Sequence, residues 1–259
     1  MPFQVGANYT ALNVYNNIST HQTNSAASLA RISSGKKAAA AGDVASAGTA
    51  ATIAGNMQKT QSYISQAQFA LDQLQAADTA YGELISLGQK AIEVASRGTD
   101  SGADYTALGA QLTSISAGIA SIQTNSQFNG ALLSAAASPT VGAAALTVTP
   151  TFATAPVITA SAAADASKIA TDRASIVTYV ESTVDKRATN AGFMVSLQNT
   201  LQVLNSVAAN EMQAMSQVAD TDIAKEMMNL TSANILTEAA TAMLAQAMQL
   251  PNSVLKLLQ

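Results

Sequence analysis

From Ile64 the residues Ile64, Ala67, Leu71, Leu74, Asp78, Tyr81, Ile85, Gly88 and Ile92 follow one another at alternating steps of three and four. That spacing is the seam of a coiled coil, because a repeat of about 3.5 residues keeps one apolar stripe turned toward a partner helix. Asp78 and Gly88 read as the weak places of the seam. A second run, Leu108, Leu112, Ile115, Ile119 and Ile122, repeats the steps just after "SRGTDSG" at 96–102, whose glycines and Asp100 mark a turn. Two helices joined by so short a loop are most easily antiparallel. In the C-terminal half Ile176 and Val180, then Met194, Leu197, Leu201, Leu204 and Ala208, predict a third bundle helix. Arg187 and Asn190 interrupt its stripe, as polar positions that set register at some cost in stability. The expected fold class is mainly α, a long-helix coiled-coil bundle with a small β-hairpin insert. Its bundle core is expected from Ile64, Leu71, Leu74, Tyr81, Ile85, Ile92, Leu108, Leu112, Ile115, Ile119, Ile122, Leu197, Leu201 and Leu204.

The middle of the chain breaks this pattern. Residues 134–164 carry no charge, hold Pro139, Pro150 and Pro156, and include "LTVTPTFATAPVIT", where Leu146, Val148 and Phe152 alternate with threonines. Alternation of this kind predicts a strand, and Pro150 confines it to an edge or a break. The Ser, Thr and Ala cover of this insert also makes it a candidate for O-linked sugars.

Both ends of the chain are uncharged yet polar. No Asp, Glu, Lys or Arg precedes Arg31, and none lies between Ala239 and Leu255. Helices wetted by neither bulk water nor lipid are expected to cover one another, so the two termini read as partners. "DTDIAKE" at 220–226 puts acids at the start of the last helix, where the macrodipole favours them, with Asp220 or Thr221 as the expected cap.

Composition excludes several classes of function. Charged residues make up 11% of the chain, against roughly 25% in an average soluble domain, so something other than water is expected to meet much of the surface. The formal net charge is −4 and no basic run is longer than two residues, as at Lys36–Lys37, which argues against a nucleic-acid partner. Cysteine is absent, removing thiol nucleophiles and thiolate metal sites. The single histidine, His21, cannot supply a Ser/His/Asp arrangement, HExxH or paired Glu-x-x-His ligands, and reads as a polar residue on a helix face. "ISSGKKAAAAG" lacks the spacing of a phosphate-binding loop. No catalysis, metal or cofactor is expected. The N-terminal residues lack the basic start and apolar run of a secretory signal, and no run of 18 apolar residues is present, so neither Sec-type export nor membrane insertion is expected. The nine methionines, most at helical spacing in the C-terminal part, read as core or interface filling.

Three segments then speak together: "SLARISSGKK" near the start, "QTNSQFNGALLS" at 123–134, and "DTDIAKEMMNLTSANILTEAATAMLAQAMQLPNSVLKLLQ" at the end. They closely resemble bacterial flagellin. The first matches the family's L-S-S-G-x-R at Ile32, Ser33, Ser34, Gly35 and Lys37, and the second its Q-F-N-G at Gln127 to Gly130. The third follows D-x-D-x-A-x-E at Asp220, Asp222, Ala224 and Glu226. It continues through Ile235 and Leu236 to the L-A-Q-A-N-Q-x-P-x-x-V-L-x-L-L ending, from Leu244 to Leu258. Met248 stands where the family usually has Asn, and Asp43 alone remains of an acidic pair, leaving the second acid's salt bridge without its carboxylate.

The resemblance implies an inner domain of paired terminal helices and an outer helical domain, with reduced variable domains. The domains implied are 1–42 and 219–259 inner, 43–133 and 168–218 outer, and 134–167 a hairpin or variable insert. It implies a structural subunit that polymerises with copies of itself into the flagellar filament, outside the cell after export by the flagellar type III apparatus. An export chaperone and cap and junction proteins are implied as partners. Subunit packing falls to Leu12, Tyr15, Ile18, Leu29, Ile32, Ile223, Met227, Leu230, Ile235, Leu236, Leu244, Leu250, Val254, Leu255 and Leu258. Positions resembling contacts of a flagellin-sensing toll-like receptor are Lys90, Val94 and Ser114, where strongly sensed flagellins have Arg, Leu and Glu. Two alternatives remain: a hook-to-filament junction protein of the same lineage, and a pore-forming protein that uses low-charge helices on membranes.

Overall fold

The computed structural model describes residues 9–37, 44–100, 102–133, 140–141, 146–147, 150–158 and 165–257, with the backbone alone at 44, 140–141, 146–147 and 250–257. Among the described residues five α-helices dominate: α1 (Tyr9–Ser34), α2 (Val44–Ser96), α3 (Tyr105–Asn125), α4 (Ala166–Ala219) and α5 (Ile223–Leu257). Four short strands among the same residues form two antiparallel hairpins, β1 (Gln127–Phe128) with β2 (Ala131–Leu132) and β3 (Thr140–Val141) with β4 (Leu146–Thr147). The chain divides into two compact units, residues 1–58 with 209–259 and residues 59–208.

Three helices start on an aspartate whose carboxylate satisfies backbone N–H groups that have no partner inside the helix. Asp104 accepts from Thr106 and Ala107 at 3.1 and 3.0 Å, Asp165 from Lys168 at 2.9 Å, and Asp222 from Ala224 and Lys225 at 2.9 and 3.2 Å. The last of these is a correction: Asp222, not Asp220 or Thr221, caps α5, because Asp220 and Thr221 are engaged in pairing with the segment after α1. The helix bodies carry many serines and threonines that turn their hydroxyls back on their own backbone. Thr49 donates to the Ala45 carbonyl at 3.0 Å, Thr79 to Gln75 at 3.1 Å, Thr178 to Ala174 at 3.1 Å and Thr231 to Met227 at 2.8 Å.

In the unit formed by 59–208, the deepest stripe of α2 is Ala67, Ala70, Leu74, Ala77, Tyr81, Leu84, Gly88, Ala91 and Ala95. It steps by three and four like the stripe read from the sequence and shares Ala67, Leu74, Tyr81 and Gly88 with it. Leu71, Ile85 and Ile92 are half-buried on its flank. Leu197 of α4 closes on Ala67, Ala70 and Leu74; further along, Leu84, Ile119 and Tyr179 bring α2, α3 and α4 together. Ala91, Ala95, Leu108, Leu112, Ile169 and Ile176 fill the far end of this three-helix region. Of the other expected core residues, Ile64 is buried, while Ile115, Ile122, Leu201 and Leu204 are half-buried.

Small residues set how close these helices come. A Cβ on Gly88 would lie 2.4 Å from Val180 Cγ2, and one on Gly98 would lie 2.5 Å from Ile169 Cγ2. Gly88 is thus the seat of Val180 and not a flaw in the seam. Asp78 likewise has a role, since Arg187 reaches across from α4 and grips its carboxylate at 2.8 and 2.9 Å. Those two hydrogen bonds hold the Asp78 carboxyl below the ordinary value of 3.8. Asn190, 2% exposed, donates to the Leu74 carbonyl at 2.9 Å and leaves its own carbonyl buried without a partner.

The β1–β2 hairpin was not anticipated as a strand pair. Gln127 faces Leu132 and Phe128 faces Ala131, and the turn between them holds Asn129 at φ 51° and Gly130 at φ 78°. Asn-Gly suits a two-residue turn in which both residues take positive φ. The hairpin seats Leu133 against Ala77 and Tyr81, and Phe128 lies 5.1 Å from the Phe69 ring. The β3–β4 pair falls in the segment expected to form a hairpin; Val148, part of that expectation, lies outside the described residues. After it, residues 150–158 cross the helices as a strap without regular secondary structure. Tyr81 donates to the Thr151 carbonyl at 2.9 Å, Gln123 to Ala153 at 2.8 Å and Ser116 to Pro156 at 3.3 Å.

Candidate subunit-packing surface

The unit formed by 1–58 and 209–259 is built on α1 packed along α5. The inward stripe of α1 is Ala11, Val14, Ile18, His21, Ser25, Ser28 and Ile32, and that of α5 is Glu226, Leu230, Ala233, Thr237, Ala240, Leu244 and Ala247. Both step by three and four, so this too is a coiled-coil contact. Half of these fourteen positions are alanine, serine or threonine, and Ser25 donates to Asn234 Oδ1 across the pair at 2.9 Å.

Most of the large apolar side chains of the same two helices face outward. Ile18 is 8% and Ala233 6% exposed, whereas Tyr9 is 71% and Ile235 60% exposed. Leu12, Tyr15, Leu29, Ile223, Met227, Met228, Leu236, Met243 and Met248 are exposed as well. Met227, Met228, Thr231, Ser232, Ile235 and Leu236 line a surface groove on α5. Of the residues expected in subunit packing, Ile18, Ile32, Leu230 and Leu244 therefore lie on the seam of the pair. Leu12, Tyr15, Leu29, Ile223, Met227, Ile235 and Leu236 lie on its outside. The side chains of Leu250, Val254 and Leu255, and all of Leu258, fall outside the described residues, as does Asp43.

A polar junction holds the two helices in register at the end of α1. Gly35, at φ 68°, reverses the chain in a conformation that costs an L side chain energy. This brings Lys36 into an antiparallel bridge with Asp220, and the Thr221 N–H donates to the Gly35 carbonyl at 3.0 Å. Lys37 donates to the Gln217 carbonyl at 2.7 Å, placing a cation at the C-terminal end of α4, where the helix dipole favours it. Arg31 lies 3.7 Å from the carboxylate of Glu226, which is buried and keeps its other oxygen without a hydrogen-bond partner. The motif residues Ser34, Gly35, Lys37, Asp220, Asp222 and Glu226 thus meet in one place.

His21 lies on the seam of the pair, among Asn24, Ser28, Asn229 and Ser232. Among the described residues no cluster of three His, Cys, Asp or Glu side chains could hold a metal ion, and no helix is long and apolar enough to cross a membrane. Lys90 and Ser114 are exposed in the other unit, whereas Val94 is half-buried against the cluster that includes Leu108 and Leu112. Asp104 and Asp165 are helix caps beyond those expected from the sequence, and an aspartate just before a helix start is the signal that marks them.

Residues 5–138 match the bacterial flagellin N-terminal helical region, and residues 175–258 match the bacterial flagellin C-terminal helical region. The chain is similar to the flagellin of Halalkalibacterium halodurans, 48% identical over 63 residues, which is 24% of this chain and 23% of that protein. It is also similar to flagellin A of Vibrio cholerae, 41% identical over 81 residues (31% and 21%). The flagellin of Bacillus subtilis is 46% identical over 63 residues (24% and 21%). The matched segments therefore span less than a quarter of the length of these relatives. With both helical regions matched in order along the chain, the protein belongs to the bacterial flagellin family.

Proposed function

We propose that this chain is a structural subunit that polymerises with identical copies into the helical filament of the bacterial flagellum. The observation that carries this reading is the outer face of the α1–α5 pair, where Leu12, Tyr15, Leu29, Ile235 and Leu236 are exposed although small residues take half of the seam. Fully burying a Leu, Ile or Met side chain contributes about 1.5–3 kcal/mol, and the outward faces offer this many times over. Much of that gain is offset by the entropy of ordering the terminal helices. The surplus is collected only when several copies pack together. A contact between unlike faces, repeated with a rotation that does not close, gives a helix and not a ring.

In this reading Leu12, Tyr15, Leu29, Ile223, Met227, Ile235 and Leu236 pack against neighbouring copies. Leu250, Val254, Leu255 and Leu258 extend the same contact. The inner domain comprises 1–42 and 219–259, the outer helical domain 43–133 and 168–218, and 134–167 is the insert. The subunit works outside the cell after export through the flagellar type III apparatus, with an export chaperone and the cap and junction proteins as partners. It performs no catalysis. The junction-protein alternative is not favoured, because both matched regions are those of flagellin itself. Lys90, Val94 and Ser114 in place of Arg, Leu and Glu remove a planar guanidinium and a carboxylate, so stimulation of the flagellin receptor is weak.

The test is seeded growth. Purified chain added to filament fragments grows filaments of constant diameter, and deletion of 245–259 abolishes growth while the circular dichroism of the 59–208 helices persists. Normal growth from the truncated chain overturns the proposal.

A further inference from the structure

The chain has no cysteine, so methionine thioethers are its only side-chain sulfurs. They are not distributed like core filler. Met57, Met194 and Met215 are half-buried, Met194 packs against the cluster of Ala67, Leu74 and Leu197, and Met212 of α4 is 57% exposed. On α5, by contrast, Met228 is 66%, Met243 61% and Met248 61% exposed, and Met227 is exposed beside Met228 in the groove that includes Ile235 and Leu236. These four thioethers lie off the α5 seam, on the surface that offers apolar area to another copy.

We propose that Met227, Met228, Met243 and Met248 form an oxidation site that gates assembly, with hydrogen peroxide or a hypohalous acid as the oxidant. With peroxide, a sulfur lone pair attacks one peroxide oxygen, the S–O bond forms as the O–O bond breaks, and the departing hydroxide is protonated to water. Each sulfur loses two electrons and each peroxide gains them. The product sulfoxide is polar and chiral, and it turns an apolar contact into one that must bury a strong hydrogen-bond acceptor. An unassembled chain is open to the reaction, whereas a copy already packed into a polymer is shielded. Because a sulfoxide is returned to a thioether by methionine sulfoxide reductases, the gate is reversible. The inference rests on the filament reading.

The experiment treats the full chain with hydrogen peroxide, maps sulfoxides by peptide mass spectrometry, and measures elongation on untreated filament seeds. The four α5 methionines oxidise before Met194, and elongation falls by about tenfold or more, the ratio that follows from losing one buried methionine side chain. Preassembled filaments oxidise more slowly at the same four positions. A chain carrying Met227→Leu, Met228→Leu, Met243→Leu and Met248→Leu, compared with its own untreated rate, keeps that rate after peroxide. Should this variant assemble poorly, sulfoxide-reductase treatment of the oxidised natural chain decides, restoring its elongation. Oxidation at all four sites without slowing, equal slowing of the leucine variant, or failure of the reductase to restore growth overturns the gate. Failure of untreated chain to elongate on seeds overturns the filament reading, and the gate with it.

Discussion

The bundle of 59–208 and the helix pair of 1–58 with 209–259 use the same three-and-four spacing to opposite ends. In the bundle the seam holds Leu74, Tyr81, Leu84, Leu112, Ile119, Ile176 and Leu197, all nearly inaccessible to water. In the pair half of the corresponding positions are alanine, serine or threonine, and apart from Val14, Ile18, Ile32, Leu230 and Leu244 the large apolar residues described there lie mostly on the outer faces. Spacing alone therefore specifies that helices pair; side-chain size decides which side of the pair is adhesive. The bundle encloses its largest side chains, while the pair leaves most of its own exposed, where another molecule can bury them.

The widest contrast comes from removing one large side chain from each region. Leu197→Ala opens a void among Ala67, Ala70 and Leu74 and lowers the unfolding free energy of the bundle by about 2–5 kcal/mol, measured by denaturant titration. Ile235→Ala, at an exposed position, shifts the stability of the free chain by less than about 0.5 kcal/mol, yet slows seeded elongation severalfold. Equal effects of the two changes on the free chain would erase the distinction between the regions.

A smaller effect sharpens the account of how the bundle closes. Gly88→Ala drives a methyl into Val180 Cγ2 and costs about 1–3 kcal/mol, the range for overpacking a close contact. Adding Val180→Ala recovers part of the loss. If Gly88→Ala alone is neutral, α2 and α4 do not approach as closely as described.

The smallest effect is electrostatic. Arg187 lowers the pKa of Asp78 in the folded chain, so the pair's contribution is fully present above the ordinary aspartate range and is lost as pH falls through the lower folded value. Both side chains are about a third or more exposed, and the pair contributes about 0.2–1 kcal/mol. Asp78→Asn removes that much at pH 7 and flattens the acid limb of stability below pH ~4, as read by thermal melts across pH.

Much of this architecture was legible in the chain itself. Ile64 to Ile92, Leu108 to Ile122 and the stripe around Leu197 announce three long helices, and the charge-free ends announce their mutual cover. What escaped was written in small or context-dependent residues. Ala70, Ala77, Ala91 and Ala95 carry a weak apolar signal, so the stripe reads as though Leu71, Ile85 and Ile92 lay deepest, when those larger residues flank it. Gly88 and Asp78 look like defects until Val180 and Arg187 arrive from more than 90 residues away along the chain. Asn129–Gly130 carried a turn signal that the surrounding motif obscured. At the start of α5 three neighbouring side chains could cap, and the pairing of Lys36 with Asp220 and of Thr221 with Gly35 leaves Asp222 to do so.

The hydroxyls folded back onto their own helices bear on how such a surface sheds water. A threonine whose Oγ1 already donates to the carbonyl four residues earlier has its proton occupied within its own helix. Dehydrating that patch breaks no strong donor bond to solvent, so a surface with few charges stays wettable while isolated and gives up its hydration layer readily on docking.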